Sequence, residues 1–222
     1  AKDGSVLITL LSEEAKGAVQ LSVSSKSLDP SGVTQADIVG GVDAQTGKET
    51  GLELVRQIYP KLGMTPGLLL APGWSQSPVV AAALQAKTES INGVYNCACL
   101  LDIPTEGENG AKVYTQVKEA KEKLGATSSH AGALWPLVAV GDKVYYYSAM
   151  FAALQAYTDA QNSDVPENAS NQDLRITATV LADGTPVVLD PQQANDVLNA
   201  NGVITAINAN GFKAWGNSTA AY

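Results

Sequence analysis

Three short, almost wholly apolar runs, separated by stretches with helical marks, constrain this chain more than any other feature. They are Leu68-Leu-Leu-Ala71, Val94–Leu101 (ending at Asp102) and Ala133–Val140. A strand apolar on both sides must be covered on both faces, as in the parallel sheets of α/β proteins. The stretches between the runs supply the cover. Ser77 and Pro78 suit the cap and first position of a helix running to about Asn92. Val113, Val117, Ala120 and Leu124 form one helical stripe that Gly125 can terminate. The order is βαβ-like.

The flanks are less regular. Residues 5–11 and 18–24 predict two strands, the second alternating Val19, Leu21 and Val23. A helix is expected to open at Thr50, where Thr50 and Glu53 have capping-box spacing. Leu52, Val55, Ile58, Tyr59 and Leu62 mark its face, and Pro60 must kink it or end it early. Lys143–Tyr147 reads as a short strand, and Ser148 as the cap of a helix carrying Phe151, Leu154 and Tyr157. Asp183-Gly184 predicts a hairpin between Ile176–Leu181 and Val187–Leu189. Asp190-Pro191 with Gln193 opens a capped helix that closes at Asn201-Gly202. A last hairpin joins Val203–Ile207 to Phe212–Trp215 across Asn210-Gly211. The fold class is α/β (mixed α+β): a mixed β-sheet flanked by helices, with β-hairpins at the N- and C-terminal ends. Residues 1–35 form a small β-rich segment and 36–222 the main α/β domain.

Composition excludes several functions. The net charge is −8 and no run of Lys or Arg stands out. Nucleic-acid binding needs clustered cations to release counterions from phosphates, so no nucleic-acid partner is expected. In Lys112–Lys123 the lysines interleave with Glu119 and Glu122, the pattern of a solvated helix face. No stretch approaches the ~18 consecutive apolar residues of a membrane span, and no signal peptide opens the chain, so cytoplasmic production is expected. Cys97 and Cys99 on one strand would stand roughly 6.6 Å apart with parallel side chains, poor disulfide geometry, and read as buried free thiols. With one His in the chain, no zinc site is expected.

Chemical motifs are incomplete. Gly41…Gly47-Lys48 has five residues between its glycines where a phosphate loop has four, and Glu49 stands where that loop needs a hydroxyl. Ser75, Asp102 and His130 follow the chain order of an α/β-hydrolase triad. However, Gly73-Trp-Ser-Gln-Ser77 lacks the second glycine of the nucleophile elbow, and His130 lies before its strand rather than after it. Trp74, Trp135 and Trp215 sit at strand ends as core or interface residues. No catalytic, cofactor-binding or metal residue is assigned. A hydrolase using Ser75 and a small-ligand binding domain are the competing readings.

The order of several segments goes further. Leu28-Asp-Pro-Ser31, Ala36-Asp-Ile-Val-Gly-Gly41 and Thr46-Gly-Lys48…Gly51-Leu-Glu-Leu54 are followed by Pro66-Gly-Leu-Leu-Leu-Ala-Pro-Gly-Trp-Ser75 and Val80-Ala-Ala-Ala83. Then come Asp102-Ile-Pro, Trp135-Pro136, Ala194-Asn195…Leu198-Asn-Ala-Asn-Gly-Val-Ile204 and Gly211-Phe-Lys-Ala-Trp-Gly-Asn217. This series, over about residues 27–219, resembles the contractile tail sheath family of phages, prophages and related injection devices. Ser218 stands where family members often carry Arg, and the loop Pro166–Asn171 is reduced, so the contacts of those family residues are not carried over.

The resemblance implies a structural role without cofactor or catalysis. Sheath subunits build six-fold rings, stack helically around a tail tube above a baseplate, and contract to drive the tube through an envelope. It places the protein in the virion tail, made in the bacterial host. The extended N-terminal segment and the arm-bearing C-terminal domain of the family have no counterpart here, which implies the sheath's central body. Without arms, the isolated chain is expected to be monomeric or weakly associating.

Overall fold

The computed structural model describes residues 29–222, together with residue 9, residues 12–17 and residue 22. The strands expected over residues 5–11 and 18–24 lie outside the described residues. The chain divides into two compact units, residues 1–33 and 34–222. In the first, α1 (Glu13–Lys16) is a single turn, and a 3₁₀ turn at Pro30–Gly32 is capped by the Asp29 carboxylate, which accepts from the Ser31 amide at 3.0 Å.

The second unit opens with α2 (Gln35–Val39), held by a capping box between Thr34 and Asp37. A short hairpin of β1 (Gly41–Val42) and β2 (Glu49–Thr50) leads into a 3₁₀ stretch (Gly51–Gln57) and then α3 (Ile58–Leu62). The capping box expected at Thr50 and Glu53 does not form. Thr50 Oγ1 instead donates to the Gly41 carbonyl at 3.3 Å, and Glu53 pairs with Lys87 at 2.5 Å. Backbone crosses backbone here, since a Cβ on Gly40 would lie 1.9 Å from the Thr50 oxygen. Pro60 falls third in α3, directly behind the 3₁₀ stretch, so its ring removes one amide donor from a continuous helical run. The Arg56 carbonyl, which Pro60 cannot serve as donor, accepts from Asn92 Nδ2 at 3.0 Å.

The expected βαβαβ core follows: β3 (Leu68–Leu70), α4 (Pro78–Thr88), β4 (Ala98–Asp102), α5 (Val117–Leu124) and β5 (Ala131–Leu134). Pro78 is the first residue of α4, but Ser77 makes no cap and donates to Gln35 at 2.9 Å. Helix α4 stops short of Asn92, because residues 91–95 form a tight turn (Ile91 N to Tyr95 O, 2.7 Å) with Asn92 and Gly93 at positive φ. Val113 leaves the expected stripe and is exposed, as the cap of a 3₁₀ turn (Tyr114–Gln116) that precedes α5. Lys121 takes its place on the buried face with Val117, Ala120 and Leu124.

The run Ala133–Val140 is not one strand. Pro136 has no amide to continue a ladder, and the chain leaves the main sheet at Trp135-Pro136, a cis peptide. It resumes as β6 (Leu137–Val140), which pairs with β7 (Lys143–Tyr145) and with β8 (Ala178–Val180) in a second sheet. Between β7 and β8 lies α6 (Tyr147–Gln161). Around Asp183-Gly184 the turn forms (Leu181 N to Thr185 O, 2.9 Å), although only its first arm is a regular strand. The Asp190–Gln193 capping box forms as expected and opens α7 (Pro191–Gln193), extended by one π turn and one 3₁₀ turn to a left-handed Gly202. The last hairpin pairs β9 (Val203–Asn208) with β10 (Phe212–Trp215), as expected.

The main sheet has the order β10-β9-β5-β4-β3, with β3, β4, β5 and β9 parallel and β10 antiparallel. Alternation along β4 feeds two cores. Cys99 and Leu101 meet Val80, Leu84, Val117 and Leu124 of α4 and α5. Leu100 joins Leu134, Tyr147, Phe151 and Ile204 on the α6 side. The unit is a three-layer sandwich of mixed α/β class. Truncating Leu84, which is fully buried in α4, to Ala should cost about 2–5 kcal/mol. The same change at exposed Val79 should stay within about 0.5 kcal/mol. Urea unfolding of both variants checks the contrast.

Candidate functional site

Open α/β sheets bind ligands where strand order reverses. Here β3, β4, β5 and β9 lie side by side in chain order, so the parallel strands contain no such point. The place where a crevice would open, beyond the carboxyl end of β4, is filled by a buried polar cluster. Ser75, Asp102 and Ser148 are 0%, 1% and 0% exposed. Ser75 Oγ donates to Asp102 Oδ2 at 3.2 Å and accepts from the Asp102 amide at 3.1 Å. The Ser148 amide donates to Oδ1 at 2.8 Å and its hydroxyl to Oδ2 at 2.5 Å.

Ser148 is the second residue of α6 and not its cap; Asp102, from a distant strand, satisfies the first-turn amide in its place. Burial pushes the Asp102 carboxyl above its ordinary value, opposed by the hydrogen bonds from Ser148, Ser75 and the Tyr147 amide.

The structure joins two members of the triad-like series and separates the third. Ser75 and Asp102 touch, whereas His130 precedes β5 at the opposite end of the sheet, its carbonyl accepting from the Cys99 amide. Four residues of strand, about 13 Å, lie between the level of His130 and that of Asp102. A serine nucleophile needs a base in contact and an open face for substrate. Ser75 has a carboxylate that binds its proton and no open face, so the cluster works as a latch.

His130 instead lines a shallow groove of about 370 Å³ together with Cys97, Gln155, Asn168 and Asn217. Both cysteines are free and buried. Burial raises the Cys97 thiol and, with the neighbouring Cys97, takes Cys99 up to about 12, so neither is a thiolate nucleophile near neutrality.

In the Gly41…Lys48 segment, the amides that a phosphate would need are already used. Asp43 Oδ1 accepts from the amides of Gln45 and Thr46 at 3.0 and 2.7 Å. Lys121 departs from the solvated face expected of it: its ammonium donates to the carbonyls of Asn201 at 2.5 Å and Tyr222 at 3.3 Å. The full 117-120-121-124 spacing is the sequence signal for this, hidden because a lysine stands in it.

The two C-terminal motifs meet in space. Trp215 Nε1 donates to Asn195 Oδ1 at 2.8 Å, and Gly216, at φ 126°, lies so close to Asn199 that a Cβ would fall 2.5 Å from its side-chain oxygen. Trp135 is fully buried and donates to the Ala111 carbonyl at 3.1 Å; Trp74 is half-buried against the same core.

Asp102→Ala should destabilise the unit by about 3 kcal/mol or more, since it strands several buried donors at about 1–3 kcal/mol each. Because the folded carboxyl titrates above 3.8, its contribution to stability is greatest below that value and falls as pH rises through the folded one. Stability of the neutral Asp102→Asn variant should therefore improve relative to wild type as pH rises across that window, which chemical denaturation at several pH values checks. Ellman's reagent should leave both thiols unmodified until denaturant is added.

No protein-family model matches the chain. It is 25% identical over 214 residues to the tail sheath protein of Burkholderia phage BcepMu, covering 93% of this chain and 44% of the relative. It is 28% identical over 207 residues to a putative prophage major tail sheath protein of Pseudomonas aeruginosa strain UCBPP-PA14, covering 91% of this chain and 50% of that relative. The fold is similar to a chain in the six-fold-symmetrised cryo-EM structure of the anti-feeding prophage baseplate (TM-score 0.51, 16% identity, 89% of this chain and 52% of that one). The chain spans about half the length of these curated relatives, and over that span it is similar in sequence to phage and prophage tail sheath proteins.

Proposed function

We propose that this chain is a structural part of a contractile tail sheath, polymerising around a tail tube and contracting to drive that tube through the host envelope. Its partners are other sheath subunits in six-fold rings stacked helically, the tail tube and the baseplate. The observation that carries this reading is the sequence likeness to two tail sheath proteins over more than nine-tenths of the chain. The task requires a rigid body that survives a change of neighbours, because energy is then stored in the difference between two sets of subunit contacts. The sealed sheet and the latch at Asp102 suit a body of that kind. No bond-making step is needed, so the protein is not an enzyme. Residues 36–222 form the main sheath domain, and 1–35 a smaller segment of its own. Residence is in the virion tail after synthesis in the bacterial host.

Gold-conjugated antibody raised against the chain should decorate tails of intact particles along their length in negative-stain electron microscopy; label on heads or fibres alone would sink the idea. In the same preparation a fluorophosphonate should not label Ser75, and labelling lost in Ser75→Ala would favour the hydrolase reading instead. By sedimentation the isolated chain should be monomeric or weakly associating, and a discrete closed oligomer would count against the central-body assignment.

A further inference from the structure

Four Asn-Gly pairs punctuate the chain: Asn92-Gly93, Asn109-Gly110, Asn201-Gly202 and Asn210-Gly211. Asparagine is a thermolabile side chain. A following glycine leaves it most open to attack by the next backbone nitrogen, because no Cβ screens that nitrogen. The attack needs two things from the fold. The glycine amide must be free to give up its proton, and the space around the glycine must be open.

Three of the four pairs fail this test. The Gly202 amide donates to the Asn199 carbonyl at 2.9 Å, and Asn201 Nδ2 is itself held by the Val197 carbonyl at 2.7 Å. The Gly110 amide donates to the Gly107 carbonyl at 3.3 Å, and a Cβ on Gly110 would lie 2.3 Å from the Glu106 backbone oxygen. The Gly211 amide donates to Asn208 Oδ1 at 3.2 Å.

Gly93 differs on both counts. Its amide has no acceptor among the described residues, and a Cβ there would meet nothing within 4 Å. Asn92 and Gly93, both exposed, are the central residues of a turn closed by Val94 N to Ile91 O at 3.2 Å, with φ of 55° and 74°. The remaining restraint is on Asn92 Nδ2, which donates to the Arg56 carbonyl at 3.0 Å. An exposed bond of that kind slows the turning of the side chain by roughly tenfold at most.

We propose that Asn92 is a site of spontaneous deamidation. The Gly93 nitrogen loses its proton to solvent and bonds to Asn92 Cγ. The Cγ–Nδ2 bond breaks, and Nδ2 leaves as ammonia after taking a proton from water. Water then opens the resulting succinimide at either carbonyl, leaving an aspartyl or an isoaspartyl residue. The product matters because of what Asn92 holds. A carboxylate cannot donate to the Arg56 carbonyl, which Pro60 already leaves without its helical donor, so the change unties α3 from the turn at 91–95. It also adds a negative charge to the groove lined by Glu53, Arg56 and Lys87. Loss of ammonia is irreversible in water, so the extent of the change records the age of the folded chain.

The test warms the purified chain in mildly alkaline buffer, beside a sample in denaturant, and follows both by peptide mapping that separates aspartyl from isoaspartyl products. In denaturant the four pairs should react at comparable rates. In the folded chain Asn92 should react several-fold ahead of the other three, give both products, and react faster as pH rises. Asn92→Asp, shown to fold by circular dichroism, should exchange its amides over Ile58–Leu62 several-fold faster than wild type. Reaction first at Asn109, Asn201 or Asn210, no reaction in the folded chain, or aspartyl product alone, as direct hydrolysis would give, would overturn the site. Unchanged exchange in Asn92→Asp would overturn its link to α3.

Discussion

A carboxylate taken out of water must find enough donors to replace its hydration, and wherever it finds them it fixes the chain segments that carry them. Asp102 meets this demand with donors from two other parts of the fold, the turn after β3 through Ser75 and the first turn of α6 through Ser148. Moving any of the three would leave a buried charge or a buried helix end unpaired. The layer above the sheet, formed by α6 with Tyr147 and Phe151, is positioned by that arrangement. Tyr147 adds a second tie at the same level, its hydroxyl donating to the Thr205 carbonyl at 2.8 Å on β9.

The topology closes the interior of the unit by another route. A sheet whose parallel strands lie in chain order leaves no crevice at their carboxyl ends, and the latch fills what space remains. What this unit offers to other molecules is its outer faces: the apolar surface around α3, the groove on α6 and the groove beside His130. For a proposed sheath part this is the expected economy, since contraction exchanges contacts between bodies and leaves each body intact.

The C-terminal part closes the unit by interlocking pieces. Asn195 and Asn199, on the turns that extend α7, meet Trp215 and Gly216 at the end of β10. The chain then returns across the sheet: the Ala220 amide donates to the Ala131 carbonyl at 2.7 Å, and Lys121 binds the carbonyl of Tyr222. A lysine on the buried face of α5 thereby ties the tail of the domain to its middle, at the cost of partial desolvation that lowers its own pKa.

Elements whose stability is local were legible in the residues. The apolar runs at β3 and β4, the Asp190–Gln193 capping box, the left-handed Gly125 and Gly202, and the Asn210-Gly211 hairpin all follow from spacing and backbone preference. The Ser75–Asp102 contact could be suspected from strand ends, and the ordered motifs pointed to the relatives. Tertiary structure alone decided the rest. Trp135-Pro136 splits one apolar run between two sheets, Glu53 leaves Thr50 for Lys87, Lys121 turns inward, and α6 is capped by Asp102 in place of its own Ser148. In each case a side chain chose a partner more than 30 positions away in sequence, or a strand a distant neighbour, and local spacing carries no information about such partners.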